Sequence, residues 1–180
     1  MWYEVECKVK IRDLELLKSR VKDIARLVKR EVKVADYYAI QRKGYPKKAF
    51  RVRNVNGIHI VNFKKWAKKY WDSKIVVKEE YEFKMEDVQD FLSLMKDHGF
   101  FEWVVKKKFS ERYVYNKNKH ISIEINKVDK LGYFMEIEYL VSKSEIIRAK
   151  NAIKKILKEL MIDDRDIENK GYTKMLWERK

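Results

Sequence analysis

The sequence predicts an α+β domain, and three observations lead there. Short segments of alternating apolar and charged residues recur along the chain, the pattern of half-buried strands. Three longer stretches instead repeat apolar residues every three or four positions, as amphipathic helices do. The few glycines and the single proline, Pro46, fall mostly between these segments, where turns are needed. The order strand, helix, strands, helix, strands, helix suits antiparallel pairing within one domain spanning 1–180.

Taken in order, residues 2–11 read as a strand. Residues 13–31 read as a helix capped by Asp13, with Leu14, Leu17, Val21, Ile24 and Val28 on one face. Strands over 49–54 and 58–64 meet at Asn56-Gly57, a strong hairpin signal. A strand over 75–83 precedes a helix from Met85 to Asp97, with Val88, Phe91, Leu92 and Met95 inward and Gly99 near its C-terminal end. Strands follow at 102–109, 111–116, 120–127 and 133–140, the last two turning around Leu131-Gly132. A long helix over 143–161 presents Ile146, Ile147, Ala149, Ile153, Ile156, Leu157 and Leu160, and a short, partly apolar tail runs over 171–178.

Composition narrows the function classes. Lys+Arg 43 against Asp+Glu 28 leaves a net charge of +15 in 180 residues, which suits an anionic partner: nucleic acid, acidic lipid or a small polyanion. An apolar content of 46% with 13% aromatics excludes a disordered basic tail. A lone cysteine, Cys7, excludes an internal disulfide framework and a multi-cysteine zinc site; on the apolar face of its strand it reads as an inert thiol. His59, His98 and His120 are dispersed without metal-ligand spacing. No apolar run reaches membrane-spanning length and Met-Trp-Tyr-Glu-Val-Glu lacks a signal-peptide core, so the expectation is a cytoplasmic protein. Abundant Lys and Glu beside only two glutamines read as heat adaptation, which accounts for part of the charge.

Strand parity carries the functional argument, because alternate residues share a face. Glu4, Glu6 and Lys8 lie opposite Val5, Cys7 and Val9, and Arg51 and Arg53 lie opposite Phe50 and Val52. The same alternation groups Asn62 with Lys64, Lys78 with Glu80 and Glu82, Lys106 with Lys108, Glu124 with Asn126, and Glu136 with Glu138. If the sheet curls into a barrel covered outside by the helices, the charged face lines its interior. Counting Arg112, that interior gathers seven acidic and seven basic side chains: Glu4, Glu6, Glu80, Glu82, Glu124, Glu136 and Glu138 against Lys8, Arg51, Arg53, Lys64, Lys106, Lys108 and Arg112. Buried ions are costly unless paired. A polyanion for the bases and hard Mg²⁺ or Mn²⁺ for the carboxylate pairs would satisfy both sets.

Several motifs then match one family in order. Glu4-Val5-Glu6-Cys7-Lys8 is similar to the ExExK signature of the CYTH family, the triphosphate tunnel metalloenzymes, which includes class IV adenylyl cyclases, thiamine triphosphatases and inorganic triphosphatases. Phe50-Arg51-Val52-Arg53 resembles its basic strand, Asn62-Phe63-Lys64 its next lysine strand, and Glu79-Glu80-Tyr81-Glu82-Phe83 its mid-chain acidic strand. Leu131-Gly132-Tyr133-Phe134-Met135-Glu136-Ile137-Glu138 resembles its late Leu-Gly-x-Phe-x-Glu-x-Glu motif, and 171–176 its C-terminal Ser-Tyr-x-x-Leu-Leu segment.

The resemblance implies an eight-stranded antiparallel barrel whose solvent-filled tunnel binds a triphosphate with Mg²⁺ or Mn²⁺. It implies catalytic roles for Glu4, Glu6 and Lys8, and metal ligation by Glu136 and Glu138 at one ion and by Glu4 and Glu6 at a second. Phosphate contacts fall to Lys8, Arg51, Arg53, Lys64, Lys106, Lys108 and Arg112, with Glu80 and Glu82 as further tunnel residues. ATP, tripolyphosphate and thiamine triphosphate are the implied substrates, acted on by hydrolysis or by cyclisation to cyclic AMP and pyrophosphate.

Three departures stand out. Asn126 replaces a usual Asp, which weakens a second metal site unless Glu124 compensates; Lys106-Lys107-Lys108 lacks the Arg of a Lys-x-Arg strand; and Lys174 stands where an acid is common. They leave open a tunnel that only binds triphosphate or an RNA 5′ end. A separate reading, nucleic-acid binding by the basic-aromatic exterior at 64–71, is less favoured than a solvated loop there.

Overall fold

The computed structural model describes every residue except Met1, Lys47, Asn56 and Lys180. Eight antiparallel strands close into a barrel in the order β1-β5-β4-β3-β2-β6-β7-β8. They are β1 (Trp2–Lys10), β2 (Ala25–Ala39), β3 (Ala49–Val55), β4 (Ile58–Trp66), β5 (Val76–Met85), β6 (Phe101–Tyr115), β7 (Ile121–Val128) and β8 (Gly132–Val141). Four α-helices, α1 (Leu14–Ile24), α2 (Gln89–Asp97), α3 (Ile146–Glu159) and α4 (Tyr172–Trp177), and three short 3-10 turns complete the described fold. None is long and apolar enough to cross a membrane.

The helix expected over 13–31 is corrected. Asp13 caps it as expected, accepting from the Leu16 amide, but it ends at Ile24. From Ala25, already extended at φ −146°, the chain becomes β2 and pairs with β6 along its length and with β3 at Asp36–Ala39. Tertiary pairing overrides the helical spacing that reached as far as Val28. Strands 102–109 and 111–116 are likewise one continuous strand, β6. The helix expected from Met85 starts at Gln89, since β5 runs on to Met85, and Ile147, among the apolar residues of the long helix, is 73% exposed on α3.

The β3–β4 hairpin turns where Asn56-Gly57 placed it. Asn56 lies outside the described residues, while Gly57 takes φ +86°, a left-handed conformation that favours glycine. The apolar parity of the strands faces outward as anticipated. Val5, Cys7, Ile123, Ile125, Met135 and Ile137 meet Leu17 and Val21 of α1 and Ala149, Ile153 and Ile156 of α3 in the main core. A second core joins Tyr38, Phe50, Val52 and Val61 to α2 through Val88, Phe91, Leu92 and Met95. With the helices buried against the outside, the barrel interior is left to charged side chains.

Candidate functional site: a charged tunnel

The interior encloses a cavity of about 560 Å³. Glu4, Glu80, Glu82, Glu124 and Glu138 line it together with Arg51, Arg53, Lys64, Lys106, Lys108 and Arg112. Glu6, Lys8, Asn126 and Glu136 are buried at the end covered by α4, where the Tyr172 ring lies 4.5 Å from Lys8 Nζ and 5.2 Å from Lys106 Nζ and packs edge-on against Phe134. At the other end Trp2, Glu82, Arg112 and Leu140 are exposed and form the mouth. The Lys8 ammonium is spent on the Lys170 carbonyl at 2.7 Å.

The charges lean to opposite sides of the barrel, with Lys8 on β1 and Lys78 on β5 interleaved among the acids. Glu136 and Glu138 on β8, Glu4 and Glu6 on β1, and Glu80 and Glu82 on β5 make an acidic wall; Arg51 and Arg53 on β3, Lys33 on β2, and Lys106, Lys108 and Arg112 on β6 make a basic one. Within the acidic wall, carboxylate oxygens of Glu4, Glu6 and Glu138 lie within 4.8 Å of one another. Lys78 contacts both Glu4, at 3.1 Å, and Glu6, and Lys64 contacts Glu4. Burial opposes the charge of Glu4, yet Lys64 and Lys78 outweigh it and hold the carboxyl well below the ordinary range. Burial raises Glu6 against the pull of Lys78. Glu138 has no cation within ion-pair distance among the described residues, and burial followed by Glu4, Glu124, Glu136 and Glu6 pushes it to about 8.

Glu136 behaves differently from its strand neighbour. Lys108 lies between Glu124, at 3.0 Å, and Glu136, at 3.1 Å, while the Asn126 amide donates to Glu136 at 2.8 Å and its carbonyl accepts from Ser110. Burial would raise Glu136, but Lys108 and then Lys8 lower it to about 2. Asn126 therefore closes a Ser110-Asn126-Glu136-Lys108 chain, and the structure does not bring Glu124, Asn126 and Glu136 into the three-carboxylate group formed by Glu4, Glu6 and Glu138. Three converging carboxylates, one of which, Glu138, has no cation within ion-pair distance among the described residues, fit a small divalent ion such as Mg²⁺ or Mn²⁺.

On the basic wall, Arg51, Lys106 and Arg112 have no carboxylate within 4.0 Å among the described residues, and Arg53 reaches only Glu82 at 3.6 Å. Among the described residues, the buried Nε atoms of Arg51 and Arg53 have no hydrogen-bond partner. Sequence parity does not reveal every lumen residue. Lys33 and Tyr37 lie on β2, where the alternation gives no strand signal, and Lys78, which shares the charged face of Glu80 and Glu82, joins Glu4 and Glu6 inside. Burial disfavours the Tyr37 phenolate, yet Lys106 and then Arg51 reverse this and bring the hydroxyl to about 7. Lys106 is itself lowered by burial. Cys7 is buried on the outer face, and burial raises its thiol to about 12, as expected for an inert cysteine.

Comparison with known proteins agrees with this architecture. A Methanocaldococcus jannaschii protein named as a candidate adenylate cyclase is 29% identical over 176 residues, covering 96% of this chain and 97% of its own. Two Pyrococcus horikoshii proteins of known structure share the fold at 26% identity each. One superposes with a TM-score of 0.78 over 98% of this chain and 99% of its own, the other with 0.77 over 95% and 98%. The CYTH domain profile matches residues 3–172, from the start of β1 to the tyrosine that closes the tunnel, so the chain belongs to the CYTH domain family.

Proposed function

We propose that the chain, as a single CYTH-type domain over 1–180, is a divalent-metal-dependent phosphohydrolase acting on inorganic, nucleoside or other organic triphosphates in its tunnel. The observation that carries the reading is the basic wall: among the described residues, the buried Nε atoms of Arg51 and Arg53 have no partner, and Lys106 and Arg112 beside them have no carboxylate within 4.0 Å. Planar guanidiniums suit bidentate phosphate contacts, and the lysines serve as point charges. Glu4, Glu6 and Glu138 would hold Mg²⁺ or Mn²⁺ opposite that wall, supplying charge neutralisation to the phosphate oxygens. Phosphoryl transfer asks chiefly for positioning and charge stabilisation. Arg51, Arg53, Lys106 and Arg112 fix the polyanion, while Lys108 stays committed to Glu124 and Glu136.

Class IV adenylyl cyclase chemistry is the second reading, favoured by the name of the Methanocaldococcus jannaschii relative. Product analysis by ion-exchange chromatography separates the two. Incubation with ATP or tripolyphosphate and Mg²⁺ or Mn²⁺ should yield orthophosphate, lost in the Glu4→Gln/Glu6→Gln variant. Cyclic AMP with pyrophosphate would establish the cyclase instead. Metal-dependent binding without any product would leave a tunnel that only binds, consistent with Asn126.

A further inference from the structure

The tunnel has one usable end. Tyr172, Phe134 and α4 cover the inner end, so whatever a bound triphosphate carries beyond its phosphates must project toward the mouth. There the chain places an indole. Trp2 shares the inward parity of Glu4 and Glu6, lines the cavity and is 61% exposed. Across β1 and β8, Leu140 continues the inward parity of Glu136 and Glu138, lines the same mouth and is 50% exposed.

Trp2 differs from the chain's other tryptophans. Trp66 packs on Trp71 at 4.9 Å between ring centroids and Trp103 on Trp177 at 6.0 Å, whereas Trp2 has no ring contact among the described residues. Its neighbour along the strand on the same face is Glu4, about 7 Å deeper by strand geometry. An aromatic face without a packing partner, one residue pair outward from the acidic cluster and rimmed by Arg112 and Glu82, is shaped for a flat ring attached to the phosphates.

We infer that Trp2, with Leu140 lining the same mouth, is a stacking platform for the base of a nucleoside triphosphate, so that the tunnel's substrate carries an aromatic ring. This rests on the triphosphate reading above and names the substrate class within it. Stacking on an exposed aromatic contributes to binding through the base and leaves phosphate contacts untouched.

The test is equilibrium binding to the full chain with Mg²⁺, comparing a non-hydrolysable ATP analogue with a non-hydrolysable tripolyphosphate analogue. Trp2→Ala should weaken the ATP analogue about tenfold and shift the tripolyphosphate analogue less than about twofold, with Trp2→Phe restoring most of the loss. Leu140→Ala should act in the same direction with smaller effect. Equal losses for both ligands, or none for either, would overturn the platform while leaving the tunnel as a triphosphate site. Wild-type protein that binds neither analogue would instead remove the triphosphate reading itself.

Discussion

Tyr37 shows how the lumen changes an ordinary side chain. Lys106 and Arg51 outweigh burial and bring its hydroxyl from 10.0 to about 7. Because the folded value is lowered, this contribution to stability is full above the ordinary phenol range and is lost as pH falls through about 7. A phenolate difference-absorbance titration should show one tyrosine ionising near pH 7, absent in Tyr37→Phe. Tripolyphosphate drawn to Arg51 and Lys106 should move that ionisation upward, so binding near neutral pH should take up protons in calorimetry across buffers of different ionisation enthalpy. Absence of proton uptake would mean that the anion does not approach Tyr37. At the acidic wall, Glu138→Gln should weaken Mn²⁺ binding at least about tenfold, since it replaces one of three carboxylate donors; unchanged affinity would place the ion elsewhere. Parity made Glu4, Glu138, Arg51 and Arg53 legible because charge on alternate residues is conspicuous. Tyr37 was not, because a phenol adds nothing to a charge pattern.

Element boundaries follow from competing local and long-range signals. Asp13 caps α1 through its carboxylate at 3.0 Å from the Leu16 amide, and Asp13→Ala should cost about 1 kcal/mol in urea denaturation; no change in midpoint would show that packing of Leu17 and Val21 alone fixes the helix. The cap was readable from sequence, but the C-terminal limit was not. Helical spacing through Val28 continues where only pairing with β6 decides the outcome. At β6 the opposite happened. Glu111 occupies an outward position normally apolar, so the alternation looks broken there. The structure supplies the reason: Lys18 at 2.8 Å and Arg30 at 3.0 Å pair with Glu111 from α1 and β2. The start of β2 reads as helix and its remainder as no element, while β6 reads as two strands; the two differences cancel, which is why the expected number of strands agrees with the barrel.

For the whole molecule, ion placement and stability are coupled. Although Lys64, Lys78 and Lys108 pair with lumen carboxylates, Arg51, Lys106 and Arg112 have no carboxylate within 4.0 Å among the described residues, so a bound anion relieves repulsion on that wall. Mg²⁺ with tripolyphosphate should therefore raise the melting temperature, with a shift that grows as the logarithm of ligand concentration above its dissociation constant. The Arg51→Ala/Arg53→Ala variant should lose most of that shift while melting alone near the wild type. A shift of equal size in the variant would assign the stabilisation to the basic exterior. The family resemblance could be read from motifs at both ends of the chain because the tunnel draws its groups from strands throughout it, while the pairing of those strands, set by contacts remote in sequence, could not.

Closure of the barrel also sets a timetable for the ribosome. Tyr3 lies opposite Val141, so the free edge of β1 finds its β8 partner only when the last strand of the barrel has been made. At ordinary elongation rates that wait is on the order of ten seconds. During it, Val5, Cys7 and Val9 have an incomplete cover, and the nascent chain presents an open sheet edge to its neighbours. The acidic cluster needs Glu138 from the same late strand, so the growing chain has no assembled metal group until synthesis has passed β8.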